Sequence, residues 1–213
     1  AGSALEAAEW AALLAAYGID VVGTESATSA DEAVSAAERL GWPVVLKTDE
    51  AGIHHKTEAG GVRTGIADPV ALAAAYHDLA AHLGPRVVVQ RQVSGVEVAL
   101  GIVRDPLLGP LVVVAAGGTL VELVAERGVA LPPLDRDIAR DVVRGLRVSR
   151  LLDGYRGSAP ADVDALTEAV VALGQIAVEL ADVLDGLDLN PVLVGPAGPG
   201  QGALVVDALV LPH

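Results

Sequence analysis

Two apolar runs near the C-terminal end, LDLNPVLV (187–194) and ALVVDALVL (203–211), flank the glycine- and proline-rich segment GPAGPGQG. Such a segment reads as a loop between two strands. If the loop spans 195–202 and the strands pair symmetrically, Val194 opposes Ala203 and, counting outward, Asn190 opposes Asp207. Directly opposed residues place their Cβ atoms about 4.5–5.5 Å apart. An amide oxygen and a carboxylate at that separation suit one hard cation such as magnesium carrying a nucleotide. The competing reading is a turn at Asn190 before Pro191, with Asp207 on a solvent face.

Composition narrows the classes. A chain of 213 residues, 52% hydrophobic, buries a real core in one large domain or two small lobes. The formal charge of −14 opposes nucleic acid and anionic lipid as partners. An anionic small ligand must therefore be held by local donors. The absence of cysteine excludes disulfides, thiolate metal sites and a cysteine nucleophile. It also fits a cytoplasmic protein. The start lacks a basic n-region, and a long uncharged run, 107–121, is broken by Gly109, Pro110, Gly117 and Gly118, so neither a signal peptide nor a membrane span is expected.

Periodicity predicts a helix over 5–16 ended by Gly18, then a short strand, IDVVG. Ser29 with Glu32 is a capping-box pattern, and Gly41 closes that helix. PVVLK reads as a buried strand and VRTGI as its return; Asp68-Pro69 opens a helix to about Leu83. In 86–103, Ser94-Gly95 separates two β-rich runs, as a hairpin or a crossing between lobes, and the boundary is placed there: lobes of 1–92 and 93–213. PLVVVAA is a further strand, and helices follow over 135–146 and 161–184. The mixture argues for an α+β architecture.

The chain's two lysines, Lys47 and Lys56, both lie in KTDEAGIHHKTEAGGVRTGI (47–66). A lysine ending a buried strand and a nearby glycine pair, Gly60-Gly61, resemble a phosphate cradle, although neither a Walker loop nor GxGxxG is present. A polar loop with solvent-exposed histidines is the alternative. The arginines at 136, 140, 144 and 147 beside Asp135, Asp137 and Asp141 read as a solvated helix face.

Taken in order, PVVLKTDEAGIHHKTEAGGVRTGI, VVVQRQVSGVEVALGIVRDPLLGPLVVVAAGGTLVELVAERGVALPPL, LLDGYRG and LDLNPVLV resemble the ATP-grasp domain of ADP-forming acetyl-CoA synthetases, and more distantly the β subunit of succinyl-CoA synthetase. The resemblance implies two α+β lobes closing on a nucleotide cleft, with ATP or ADP and Mg2+ as ligands. It implies phosphate contacts from Lys47 and from the loop of Lys56, Gly60, Gly61 and Val62, with His55 as a transient phosphate carrier. It places adenine at Gln90, Arg91, Gln92 and Val93, an acidic residue near the nucleotide at Glu97, and magnesium on Asn190 and Asp207. Where relatives carry an arginine before an LPPL-like segment, this chain has Ala130; Arg127, three residues earlier, is the candidate substitute, and Arg156 of GYRG would orient the active site, a plain turn being the alternative reading of that motif. The implied reaction is acyl-CoA + ADP + phosphate to carboxylate + CoA + ATP by phosphohistidine transfer, with a CoA-binding α subunit or domain as partner in a hetero-oligomer. Ala130 leaves a catalytically impaired nucleotide-binding or regulatory module as the alternative.

Overall fold

A computed structural model describes residues 7–53, 56–118, 126–198 and 201–213. Its contacts divide the chain into a smaller unit, Val22–Val93, and a larger one combining the first 21 residues with Ser94–His213.

After the first helix, α1 (Ala7–Ala16), which belongs to the larger unit, the smaller unit runs β1 (Thr24–Ala27), α2 (Ala30–Leu40), β2 (Val44–Thr48), β3 (Val62–Ile66), α3 (Pro69–Leu83) and β4 (Val87–Arg91). Its four strands form an antiparallel sheet in the order β1-β4-β2-β3. Local chemistry fixes the helix ends. Ser29 Oγ accepts from the Glu32 amide (3.2 Å), while the Glu32 carboxylate reaches back to the Thr28 amide (2.8 Å), one residue before the cap. Asp68 Oδ1 caps α3 through the Ala71 amide (2.9 Å), with Pro69 at the first helical position. Ala33, Ala36 and Ala37 of α2 and Leu72, Tyr76 and Leu79 of α3 are buried with Val44, Leu46, Val87 and Val89 of the sheet. One sheet face is thereby the core. Alternation turns Val45, Lys47, Val88 and Gln90 to the other face.

The larger unit contains α1 (Ala7–Ala16), β5 (Val96–Asp105), β6 (Gly109–Ala116), β7 (Arg127–Ala130), α4 (Arg136–Arg144), α5 (Ser149–Leu152), α6 (Val163–Glu179), β8 (Leu184–Val194), β9 (Ala203–Val205) and β10 (Ala208–Pro212). Its sheet has the order β10-β8-β5-β6-β7, with β9 continuing beside β8. In α6, Leu166, Val170, Leu173 and Ile176 form a fully buried stripe against it. Asp162 and Asp135 cap α6 and α4. The α4 arginines lie on an exposed face, as expected, but pair with carboxylates outside the helix and not at i,i+4: Arg136 with Glu168 (2.8 Å), Arg140 with Asp164 and Arg144 with Asp153. Both units are α+β.

Several sequence expectations shift. The runs around Ser94-Gly95 belong to different sheets, so that segment is a crossing and not a hairpin. The strand expected at IDVVG is a single bridge, Val21 to Val205, and the strand begins at Thr24 because the chain passes between units at Val21–Val22. Helix α6 stops at Glu179, since Leu184 is already committed to β8. Helix α1, grouped by sequence with residues 22–92, instead packs Trp10 and Leu14 into the core of the larger unit. Leu14 is completely buried. Leu14→Ala is therefore expected to cost about 2–5 kcal/mol. Hydrogen exchange should show β8 and β10 amides losing protection while those of β2 and β4 keep theirs.

Candidate functional site

In the larger unit the helices cover one sheet face, and register identifies what lies on the other. Gly101 pairs with Asp188 and Val113, Ala99 with Ala115, Leu209 with Asp188, and Leu211 with Gly186. Small residues at Ala99, Gly101 and Ala115 leave a groove of about 320 Å³, with Asp188 and Leu211 among its walls. Glu97 alternates onto the same face; its carboxylate lies over Gly118, where any Cβ would overlap it.

The C-terminal pairing follows the count from the sequence. Val194 opposes Ala203 and Val192 opposes Val205; beyond the break, Leu189 opposes Ala208 in the same register. Between them the Asn190 amide donates to the Asp207 carbonyl (3.1 Å) and the Val206 amide to the Pro191 carbonyl (3.0 Å). Asn190 and Asp207 are thus direct neighbours. Asp207 Oδ1 accepts from the Ala208 amide (3.0 Å).

Sequence reasoning missed Asp188. It stands two residues before Asn190 on β8, so strand alternation turns both to one face. Part of its surface stays exposed, but burial of the carboxyl raises its pKa above the ordinary value of 3.8, and the Asp207 charge raises it further. Two carboxylates and an amide oxygen in proximity are a hard-cation donor set. Their mutual repulsion is what a divalent ion would relieve, so these residues fit magnesium. The missed signal was the i, i+2 relation itself.

On β7, Arg127 pairs with Ala115 and so lies on the groove face, exposed. Ala130 is on the opposite face, packed against the core. A side chain at position 130 is directed toward the helix-covered side. Arg156 is exposed in the left-handed region (φ 52°), with its guanidinium 5.3 Å from the Tyr155 ring centroid.

In the smaller unit, Lys47 is partly exposed on the face away from the core, opposite Val62 on β3 and Val88 on β4. Gln90, almost fully buried, shares that face and donates from Nε2 to Thr24 Oγ1 (3.2 Å). Gln92 is engaged structurally: its amide donates to the Pro43 carbonyl (2.9 Å) and its Oε1 accepts from the Gly65 amide (2.6 Å). The Arg91 amide donates to the Gly23 carbonyl (3.0 Å), and Val93 is the last residue of the unit. Lys56 Nζ lies 3.8 Å from Asp49, which also has Arg86 at 3.7 Å. Gly60 adopts φ 65°, and Gly61 is so close to Thr48 and the Lys56 carbonyl that a Cβ would fall 2.4 Å and 3.0 Å from them. Both glycine amides donate within the turn, Gly60 to the Thr57 carbonyl (3.0 Å) and Gly61 to that of Lys56 (2.7 Å). His55 lies outside the described residues, as does His54.

A family model described as the ATP-grasp domain matches residues 1–211. The chain belongs to the ATP-grasp family. This ATP-grasp chain is 34% identical over 206 residues to ADP-forming acetate–CoA ligase I of Archaeoglobus fulgidus, a match covering 92% of this chain and 30% of that protein. It is 30% identical over 208 residues to subunit beta of ADP-forming acetate–CoA ligase I of Pyrococcus furiosus, covering 93% of this chain and 88% of that subunit. The chain thus spans less than a third of the longer relative and most of the separate subunit. Its fold matches acetyl-coenzyme A synthetase 1 of Ca. Korarchaeum cryptofilum in complex with coenzyme A, Ca-AMPCP and HgCl+ (TM-score 0.88, 31% identity, 99% of this chain and 93% of that one). It also matches that enzyme with coenzyme A and Mg-AMPPCP (TM-score 0.85, 31% identity, the same coverage). Among the described residues of this ATP-grasp chain, no helix is long and apolar enough to cross a membrane.

The Asp188 shift makes a pH-dependent prediction. A carboxyl whose folded pKa is raised binds protons more tightly in the native state, so stability is lost as pH rises from 3.8 through the raised value. Without metal, Asp188→Asn should unfold at a higher temperature than the native chain at pH 7, and the gap should close below about pH 3.9. Adding magnesium should stabilise the native chain and do so less for the variant, as thermal unfolding would read.

Proposed function

We propose that this chain is the nucleotide-binding component of an ADP-forming acyl-CoA ligase, which interconverts acyl-CoA, ADP and phosphate with carboxylate, CoA and ATP. The observation that carries this reading is the donor set of Asp188, Asn190 and Asp207 in a chain similar to a ligase β subunit over 88% of that subunit's length. Asn190 and Asp207 would hold Mg2+, with Asp188 beside them. Bound there, the ion would neutralise charge on the nucleotide phosphates.

The remaining residues take roles within their own units. In the smaller unit, Lys47 and Lys56 supply positive charge for phosphate, Gly60, Gly61 and Val62 form the loop that approaches it, and Gln90 to Val93 meet adenine. The amides of Gly60 and Gly61 already have partners, so direct phosphate binding by that pair requires the turn to exchange them. In the larger unit, Glu97 lies near the nucleotide, Arg127 offers a cation on the groove face, and Arg156 orients reacting groups. His55 takes up and passes on the phosphoryl group. The acyl and CoA chemistry belongs to a CoA-binding α subunit or fused domain, a division suited to one subunit relative and one longer relative. Reliance on ATP and CoA suits the cytoplasm.

A second reading, a module that binds nucleotide without turnover, rests on the arginine lacking at position 130, but that position is directed to the helix-covered face and away from the groove. Losing a charge that stabilises a transferring phosphoryl group reduces rate by orders of magnitude. Arg127 on the groove face supports the enzyme reading instead.

Calorimetry and phosphate transfer separate these outcomes. Mg-ATP and Mg-ADP should bind the native chain, and Asp207→Asn should weaken binding about 10-fold or more, as expected for loss of a charged ligand worth about 1.4 kcal/mol or more. Labelled ATP should transfer phosphate to the chain and not to His55→Ala. Binding without labelling, with a CoA-binding partner supplied, selects the module; no heat from either nucleotide refutes both readings.

A further inference from the structure

The segment from Lys56 to Gly61 closes on itself through the two glycine amides. Its exit is tied to the rest of the smaller unit by Arg63. Arg63 Nη1 donates to the carbonyls of Gly60 (2.6 Å) and Val62 (3.0 Å), while Nη2 donates to Asp78 Oδ2 on α3 (2.5 Å). Only a guanidinium offers this planar fork; an ammonium is a point charge on a flexible stem. Asp78 is braced in turn. The Arg63 bond holds its carboxyl below the usual carboxylate range, and His82 Nδ1 lies 3.7 Å from Asp78 Oδ1.

The Arg63 and Asp78 side chains are 37% and 48% exposed, so their ion pair adds little to global stability. Its geometric effect is larger, because one side chain joins the carbonyl of a left-handed glycine to a rigid helix. At the other end of the segment, Lys56 reaches Asp49 only at 3.8 Å. We propose that Arg63 is a positioning residue that sets where the Lys56–Gly61 segment lies for phosphate binding, acting through the Gly60 carbonyl and braced by Asp78. This rests on the nucleotide reading above.

The test compares the full native chain with Arg63→Ala, Arg63→Lys, Asp78→Asn and Lys47→Ala, using Mg-ATP as the probe. Arg63→Ala should bind about 10-fold more weakly, the scale of one lost charge-assisted hydrogen bond, with an unchanged unfolding midpoint. Arg63→Lys should recover part of that loss by keeping the pair with Asp78, and Asp78→Asn should fall between native and Arg63→Ala. The Gly60 and Gly61 amides should exchange about 10-fold faster in Arg63→Ala, with β4 amides unchanged, an effect scaled to the same lost bond. Native affinity in Arg63→Ala, with Lys47→Ala impaired, overturns this proposal and leaves the nucleotide reading standing. Weaker binding without faster exchange also overturns it, since Arg63 would then touch the ligand itself. A native chain that ignores Mg-ATP overturns both.

Discussion

Strand β8 is paired along both edges, with β5 on one side and with β9 and then β10 on the other. Proline at 191 supplies no N–H to the ladder, and regular pairing lapses there: the register carries through on the β9–β10 edge and shifts by one residue on the β5 edge. The Asn190 and Val206 amides bridge the lapse by donating to Asp207 and Pro191. This lets Asp207 stand beside Asn190 at a point where the backbone is held on both sides but is not regular strand. Removing the pairing would leave the oxygen donors with no fixed separation.

Electrostatics differ between the units. In the larger unit, Asp188 and Asp207 lie close together, and burial first and the Asp207 charge second raise the pKa of Asp188. In the smaller unit, positive groups near the glycine segment are matched to carboxylates: Lys56 and Arg86 to Asp49, and Arg63 to Asp78. A protein with net charge −14 thereby keeps basic groups in place without leaving them to the general field.

What could be read from the sequence followed physical rules that act locally. Loop length fixed the register of the last hairpin, so Asn190 and Asp207 were found by counting. Helix starts at Asp68 and Asp135 were legible because a side-chain cap is a contact over three residues. Asp188 is equally legible through strand alternation, since it stands two residues before Asn190 on one strand, whereas the hairpin count relates opposed residues alone. The allegiance of α1 was not legible, since an apolar helix face carries no record of which sheet it will cover. The same holds for Ala130, whose direction depends on where β7 joins β6. The phosphate cradle of Lys47 and Gly60-Gly61 is suggested by residue pattern, whereas the roles of Lys56 and Gln90 to Val93 come from family likeness.

The discontinuity of the larger unit has a consequence for how the polypeptide matures. Residues 22–93 are contiguous and complete their own core from nearby partners, so they can settle while synthesis is still under way. Trp10 and Leu14, made before that insert, have to wait for Val210 and its neighbours, made after it. Helix α1 is therefore among the last elements of the larger unit to find its permanent place, and an already folded insert lies along the chain between it and its partners.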